Sequence, residues 1–446
     1  MSHYKPYPKY KDSGVEWIGD VPEGWEVKRL RHISEFKNSS VDKKTYEGQA
    51  AVGLCNYTDV YYNEFITKDL PFMQATASPA EIEQFSLQKG DVIITKDSED
   101  PSDIGIPALV ADDVLGVVCG YHLTQIRTGD LNTARLIHRT MQSHVTQAYF
   151  FVEAPGITRY GLGQDTIGSV TICLPPLNRR GSVANWIDRE TARIDAIIAK
   201  KTRFIELLKE KRSALITHAV TKGINPNVKM KDSGVEWIGE VPEHWERRKI
   251  AHAFECIGSG TTPPSDQDKW YSDGEIPWIT TGELRETVIT ETSKCVTTKA
   301  LEEFSTLRLY PAGSLAMAMY GATIGRLGIL GVPATTNQAC CVLSGEISLS
   351  IRYAYFWLLA FKQQIIDLYA AGGGQPNINQ EVIAFLRVPA PNLVEQATIT
   401  AFLDRETARI DLLTQKTQHS IDLLKERRSA LITAAVTGQI DLRESA

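Results

Sequence analysis

Asp188-Arg189-Glu190-Thr191-Ala192-Arg193-Ile194-Asp195 returns letter for letter as residues 404–411, and this duplicated stretch decides the fold. The identity spreads along the chain on either side. Leu207-Leu208-Lys209-Glu210 recurs at 423–426 and the run from Arg212 to Thr217 at 428–433, at an offset of 404 − 188 = 216. An earlier block, KDSGVEWIG at 11–19, recurs at 231–239, an offset of 231 − 11 = 220. It continues through Val21-Pro22-Glu23 and Trp25-Glu26 against Val241-Pro242-Glu243 and Trp245-Glu246. Between these landmarks, about 31–178 and about 251–393 share almost no identity. The frame is duplicated while its contents differ. A period near 220 residues lies far beyond the range of about 20–50 that marks solenoids and propellers, so each copy is expected to own a core.

From about Arg179 to Ala219 there is no proline and one glycine, Gly181, which predicts a long helix. Apolar residues at Val183, Ile187, Ile194, Ile197, Phe204, Leu208 and Leu215 alternate by threes and fours along a heptad seam. Glu190, Lys201 and Lys211 interrupt it. The second copy repeats the seam at Ile399, Leu403, Ile410, Leu413, Leu424 and Leu431, broken by Glu406, Thr417, Ser420 and Arg427, while Ile198, Ile205 and Ile421 widen the stripe. Polar seam positions fix register and partner choice, so each stripe expects a specific mate. The economical mate is the other helix of the same chain, paired antiparallel by the pseudo-twofold repeat.

The expected fold is α+β: two globular domains separated by two long helices that form an antiparallel coiled coil. The boundaries are 1–178, 179–222, 223–393 (with a linker at 223–230) and 394–446. A helix of about 39 residues spans roughly 58 Å. That length can hold two reading heads on one DNA duplex, whose half-sites one turn apart lie about 34–36 Å centre to centre. A helical hairpin that merely packs two domains together has the same periodicity.

Composition bounds the class. Apolar residues at 43% and charged residues at 23% describe a globular chain with ample core. No charged leader followed by an apolar run opens the sequence, and no apolar stretch reaches about 18 residues, so a cytoplasmic protein without membrane contact is expected. The seven cysteines form no Cys-x-x-Cys pattern and read as buried free thiols. A net charge of −6 speaks against a uniformly basic surface, though a local basic cleft is compatible with it.

In the variable stretches, β-rich runs (Asp91–Thr95, Gly116–Cys119, Ser314–Met317) alternate with turn residues. The loop from Met319 to Arg326 has its place taken in the first copy by Lys96-Asp97-Ser98-Glu99-Asp100. Helical stretches at 133–151 and 351–369 lead into glycine and glutamine loops, Gly161-Leu162-Gly163-Gln164 and Gly372-Gly373-Gly374-Gln375-Pro376-Asn377, then into strands ending in proline. Gln and Asn can bond adenine, Arg can bond guanine, and cations meet phosphate. The candidate DNA contacts are therefore Lys43, Lys44, Lys96, Arg127, Arg159, Gln164, Tyr320, Arg326, Gln375 and Asn377. Plain turn chemistry accounts for the same loops equally well, and Asn379 reads as a helix N-cap.

Catalytic signatures fail together. The Pro-Pro pairs at 175–176 and 263–264 do not form the Asp/Asn-Pro-Pro-Tyr/Phe tetrapeptide of an amino-methyltransferase, no phosphate loop occurs, and no His-Glu-x-x-His is present. Recognition without chemistry is the reading, with no cofactor or metal on this chain. A coiled-coil adaptor or scaffold is the alternative. It does not require the two interiors to diverge while their borders stay fixed.

Two dissimilar domains, each entered by Val-Pro-Glu-x-Trp and left through a proline-rich strand and a repeated helix ending Arg-Ser-Ala-Leu-Ile-Thr, resemble the specificity subunit of type I restriction-modification systems. The resemblance covers nearly the whole chain. It implies that each target-recognition domain reads one half of a bipartite, asymmetric sequence in double-stranded DNA. It also implies that the paired helices set the spacer and dock two modification subunits, which bind S-adenosylmethionine and methylate adenine N6. Restriction subunits using ATP and magnesium would join them. The helix positions so implicated are Ile187, Ile194, Ile197, Phe204, Leu208 and Leu215, with Leu403, Ile410, Leu413, Leu424 and Leu431.

Overall fold

The computed structural model describes residues 5–370 and 376–442. Two compact units emerge: unit 1 comprises Met1–Thr202 with Gln418–Ala446, and unit 2 comprises Arg203–Thr417. Neither follows the repeat boundaries. The long helices run Leu177–Lys222 and Leu393–Val436, and each unit takes the first part of one and the last part of the other.

Unit 1 holds a five-stranded sheet in the order Glu35–Asn38, Leu123–Arg127, Val92–Thr95, Pro107–Val110, Phe65–Ile66. All neighbours are antiparallel except the last pair. The central strand Val92-Ile93-Ile94-Thr95 is buried on both faces, which is why it reads as an unbroken apolar run. A three-stranded sheet, Val117–Cys119, Ala50–Cys55, Met73–Ala77, packs a second core.

Unit 2 repeats this topology with other residues. Its five strands are Phe254–Ser259, Cys340–Glu346, Leu315–Ala318, Leu327–Leu330 and Val288–Ile289, again antiparallel until the final parallel pair. Cys295–Val296, Ile276–Ile279 and Thr335–Thr336 form its three-stranded sheet. The contents that differ in sequence thus share one fold, because burial fixes only where apolar strands fall. The duplicated frame closes each domain: Glu26–Arg29 pairs with the exit strand Thr171–Leu174, and Glu246–Lys249 with Arg387–Ala390. The helix expected at 133–151 is two helices, Leu131–Met141 and His144–Glu153, because Ser143 caps the second through its hydroxyl.

The seam is displaced by one residue at every second position. Ile187, Ile194, Leu208, Leu403, Ile410 and Leu431 are buried, and Leu215 and Leu424 are half-buried. Ile197, Phe204 and Leu413, expected in the seam, are instead 39%, 44% and 39% exposed. The inward positions are Thr191, Ile198, Ile205 and Arg212 in one helix and Thr407, Thr414, Ile421 and Arg428 in the other, buried or half-buried. Spacings of four then three replace three then four. Threonine hid the pattern, since its hydroxyl can bond the preceding turn and so enter a core. Thr407 Oγ1 donates to Leu403 O at 2.7 Å, and Thr414 Oγ1 to Ile410 O at 3.0 Å.

Each unit joins the two repeats through a reciprocal Asp–Arg ion pair, and in unit 1 the same arginine, Arg428, also pairs with Glu64. In unit 1, Asp195, the last residue of the repeated octapeptide, accepts from Arg428 Nε at 2.9 Å. In unit 2, its twin Asp411 accepts from Arg212 Nε at 2.9 Å. The first residue of the octapeptide faces its own domain. Asp188 accepts from Arg139 Nη2 at 2.7 Å and also from Arg135, and Asp404 accepts from Arg352 Nε at 2.9 Å. Burial alone would raise the Asp188 carboxyl, but the two guanidinium groups hold it below its ordinary range.

Arg127, a candidate DNA contact, is bound within unit 1. Its Nε and Nη2 both donate to Asp91 at 2.7 Å, and Nη2 also donates to Ser86 O at 2.9 Å. Asp91 is 1% exposed, so removing Arg127 leaves a buried charge unpaired. Arg127→Ala is expected to destabilise unit 1 by about 3–5 kcal/mol in urea denaturation, whereas Lys44→Ala at an exposed site stays within about 0.5 kcal/mol.

His138 lies fully buried in the helix Leu131–Met141, and burial, aided by adjacent Arg139, pushes its pKa down to about 3. The unfolded chain takes up this proton near pH 6.5, so the stability is fully present above that pH. As pH falls below it the folded state loses up to about 1.4 kcal/mol per pH unit. Denaturation midpoints measured from pH 7 to 5 should show this slope, and His138→Gln should flatten it.

Candidate nucleic-acid interface

In unit 1 the loop that follows the central strand lies against the glycine and glutamine loop, and in unit 2 it lies against Pro376, Asn377 and Ile378, at the described end of that loop. In unit 1, Asp97–Ser98 pairs antiparallel with Tyr160–Gly161, and Leu162 N–H donates to Lys96 O at 2.7 Å. In unit 2, Tyr320 and Asn377 face each other in an antiparallel bridge, flanked by Ile378 N–H to Met319 O at 2.9 Å and Gly321 N–H to Pro376 O at 3.2 Å. Two loops more than fifty residues apart in sequence are thereby fixed as one surface in each unit. Gly325 makes the second possible. Its φ is +77°, and a Cβ there would stand 2.9 Å from Ile366 Cδ1.

The unit 1 surface brings together Lys96, Arg159 and Gln164. The Lys96 ammonium sits 4.3 Å from the Tyr121 ring centroid, and burial lowers its pKa from the ordinary lysine value. Asp97 accepts from Arg159 Nη2 at 2.8 Å and lies 2.9 Å from His122 Nδ1, which offsets its charge. Gln164 is exposed in the first turn of the helix Gln164–Ser169, with no side-chain hydrogen bond among the described residues. Val41 O accepts from Tyr121 N–H at 2.8 Å, so exposed Lys43 and Lys44 begin two residues from this surface. Arg127 ends the strand that begins at Leu123, about 13 Å away by strand rise, which places it outside the group.

Sequence reasoning missed the tyrosines. Tyr57 and Tyr61 stack at 5.5 Å, and Tyr61 Oη donates to Asp103 at 2.6 Å, which pushes the phenol up to about 12. The spacing of Tyr57, Tyr61 and Tyr62 on one short helix was the available signal. In unit 2, Tyr320 is 42% exposed, and Arg326 is exposed with no ion pair among the described residues. Gln375 lies outside the described residues. Asn379 caps the helix Gln380–Phe385, accepting from Val382 N–H at 2.8 Å.

The helices present a second repeated surface. Within unit 1, Arg189, Ala192, Arg193 and Lys200 are exposed, and within unit 2 so are the identical Arg405, Ala408, Arg409 and Lys416. Steps of three, one and seven put each quartet on one helical face. Ile197 joins the first face, and Leu412 with Leu413 the second, all partly in solvent. No group of side chains that could hold a metal ion occurs among the described residues, and none of their helices is long and apolar enough to cross a membrane.

A family profile described as "Type I restriction modification DNA specificity domain" matches residues 242–421. The putative type I restriction enzyme MjaX specificity subunit of Methanocaldococcus jannaschii is 20% identical over 96% of both chains. The MjaIX specificity subunit of the same organism is 30% identical over 37% of this chain and 39% of its own. Among solved structures, the HsdS subunit of Thermoanaerobacter tengcongensis shares the fold with a TM-score of 0.53 at 15% identity, over 94% of this chain and 98% of that one. The duplicated frame, the two domains on one topology and these likenesses agree: residues 242–421 match the type I DNA specificity domain, and the chain over nearly its whole length is similar to specificity subunits of type I restriction enzymes.

Proposed function

We propose that each unit reads one half of a bipartite, asymmetric target in double-stranded DNA through its paired loops, and that the two long helices set the unspecified spacer. One observation carries this reading: two domains of identical topology differ in almost every residue yet expose the same two loops. A scaffold has no use for that divergence. In unit 1 the contacts would come from Lys96, Arg159 and Gln164, with Lys43 and Lys44 on phosphate, and in unit 2 from Tyr320, Arg326, Asn377 and Gln375. Unit 1 surrounds its cations with Asp97, Glu99, Asp100 and Asp103. Carboxylates can accept from the cytosine amino group, which suits base reading better than phosphate binding.

The repeated exposed quartets support docking of two copies of one partner, since no core demands that surface residues match. We assign that role to two modification subunits, which would supply S-adenosylmethionine and methylate adenine N6. Restriction subunits would add ATP- and magnesium-dependent cleavage. This reading places the protein in the cytoplasm with the DNA it guards.

Co-expression with the modification subunit in a methylation-free host, followed by single-molecule sequencing, tests the whole reading: one bipartite N6-methyladenine motif with a fixed gap is expected. Exchanging residues 31–178 for those of a relative should change one half only, and a helical turn inserted in both long helices should change the gap. A swap that altered both halves would refute the division of labour. Arg326→Ala should weaken DNA binding and reduce its salt slope by about 1 if the side chain meets phosphate. Arg193→Glu with Arg409→Glu should abolish co-purification of the modification subunit while leaving the melting temperature unchanged.

A further inference from the structure

The two repeats differ at one place where the duplicated frame calls for the same contact. In unit 2 the indole N–H of Trp245 donates to Glu395 Oε1 at 3.2 Å, and His244 Nε2 lies 2.8 Å from Glu395 Oε2. Glu395 occupies the first turn of its long helix, where a negative charge is favoured by the unsatisfied N–H groups. Unit 1 carries the same tryptophan, Trp25, but Gly24 replaces the histidine, and Arg179 stands where Glu395 does (179 + 216 = 395). The first turn of Leu177–Lys222 has no acidic residue at all.

Trp25 is 3% exposed, and its indole N–H has no acceptor among the described residues. Beside it opens a cavity of about 670 Å³ whose lining includes Tyr7, Pro22, Trp25, Pro176, Arg179 and Val183. Lys9 and Glu23, also in the lining, offset each other at 4.0 Å. Arg179 is exposed with no ion pair among the described residues, so the uncompensated charge of the described lining is positive.

We propose that this cavity binds the carboxylate of an acidic peptide segment of a partner protein, its apolar stem against Tyr7, Pro22 and Val183. Three features converge on that ligand: an unused indole donor, a guanidinium with no ion pair among the described residues and a helix N-terminus with no acid of its own. The second repeat shows the chemistry of the missing group, since a glutamate fills the equivalent place there. A charge-assisted contact is favoured over a neutral amide, and aromatic and proline walls favour a side chain over a free inorganic anion. The inference does not depend on the DNA reading.

The test follows the Trp25 indole N–H signal by NMR in the full chain with labelled tryptophan, assigned by Trp25→Phe. The probe is acetyl-Leu-Glu-Leu-amide, with the glutamine peptide as control. The glutamate peptide should move the Trp25 signal and bind at least about tenfold more tightly than the glutamine peptide. Arg179→Glu rebuilds the internal carboxylate of the other repeat. It should shift the Trp25 signal without ligand and abolish the titration, and as a surface change it leaves the fold intact. Equal binding of both peptides, no response of Trp25 to the glutamate peptide, or an unchanged titration in Arg179→Glu would overturn the proposal. So would a Trp25 shift on removing residues 443–446 from the free chain, which would make the chain's own Glu444 the acceptor.

Discussion

The architecture rests on the packed seam of the long helices, and the two carboxylates that bracket the repeated octapeptide tie that seam to its surroundings. The octapeptide's last aspartate, Asp195 or Asp411, pairs with an arginine of the opposite repeat, while its first, Asp188 or Asp404, pairs with an arginine of its own domain. One short helical segment therefore carries both the bond that joins the repeats and the bond that seats a domain on its helix. The domain-side arginines are not equivalent in the two copies. Arg135 and Arg139 do in unit 1 what Arg352 does in unit 2 from another point of its helix. A diverging domain is constrained to deliver a guanidinium to that aspartate and is free elsewhere.

Much of this was legible because duplication is a form of internal comparison. The helices, the paired frame, the central strands and the N-cap at Asn379 all follow from local patterns that need no knowledge of distant contacts. The seam was half legible. Positions such as Ile187 and Leu208 declare themselves by hydrophobicity, but Thr191, Thr407 and Arg428 enter the interface through hydrogen bonds and an ion pair that composition does not reveal. Candidate contacts were least legible. Arg127 and Arg159 look alike in a sequence, and only tertiary placement shows that one closes on Asp91 while the other reaches the loop surface.

The loops illustrate how a constant scaffold carries variable side chains. Each sits at the end of a strand buried on both faces, so its anchor points are fixed by the core, and a backbone bridge to the second loop fixes its direction. Their apolar residues, Leu162 in unit 1 and Met319 and Ile324 in unit 2, pack in or against the core, while exposed side chains such as Gln164 and Arg326 can change without disturbing the sheets. The acidic loop of unit 1 and the arginine-bearing loop of unit 2 are two outcomes of that freedom.

Reciprocity between the repeats has a consequence for assembly. The Asp–Arg pair made in unit 1 is chemically the same as the one in unit 2, so a helix cannot distinguish the mate on its own chain from the mate on a neighbouring molecule. What distinguishes them is tethering. A covalent link holds the internal mate at an effective concentration in the millimolar range, well above the abundance of an ordinary protein, and the chain closes on itself. Exchange between molecules becomes competitive only where newly made chains crowd together before closure, so the yield of closed monomer depends on expression rate as well as on the strength of any bond in the fold.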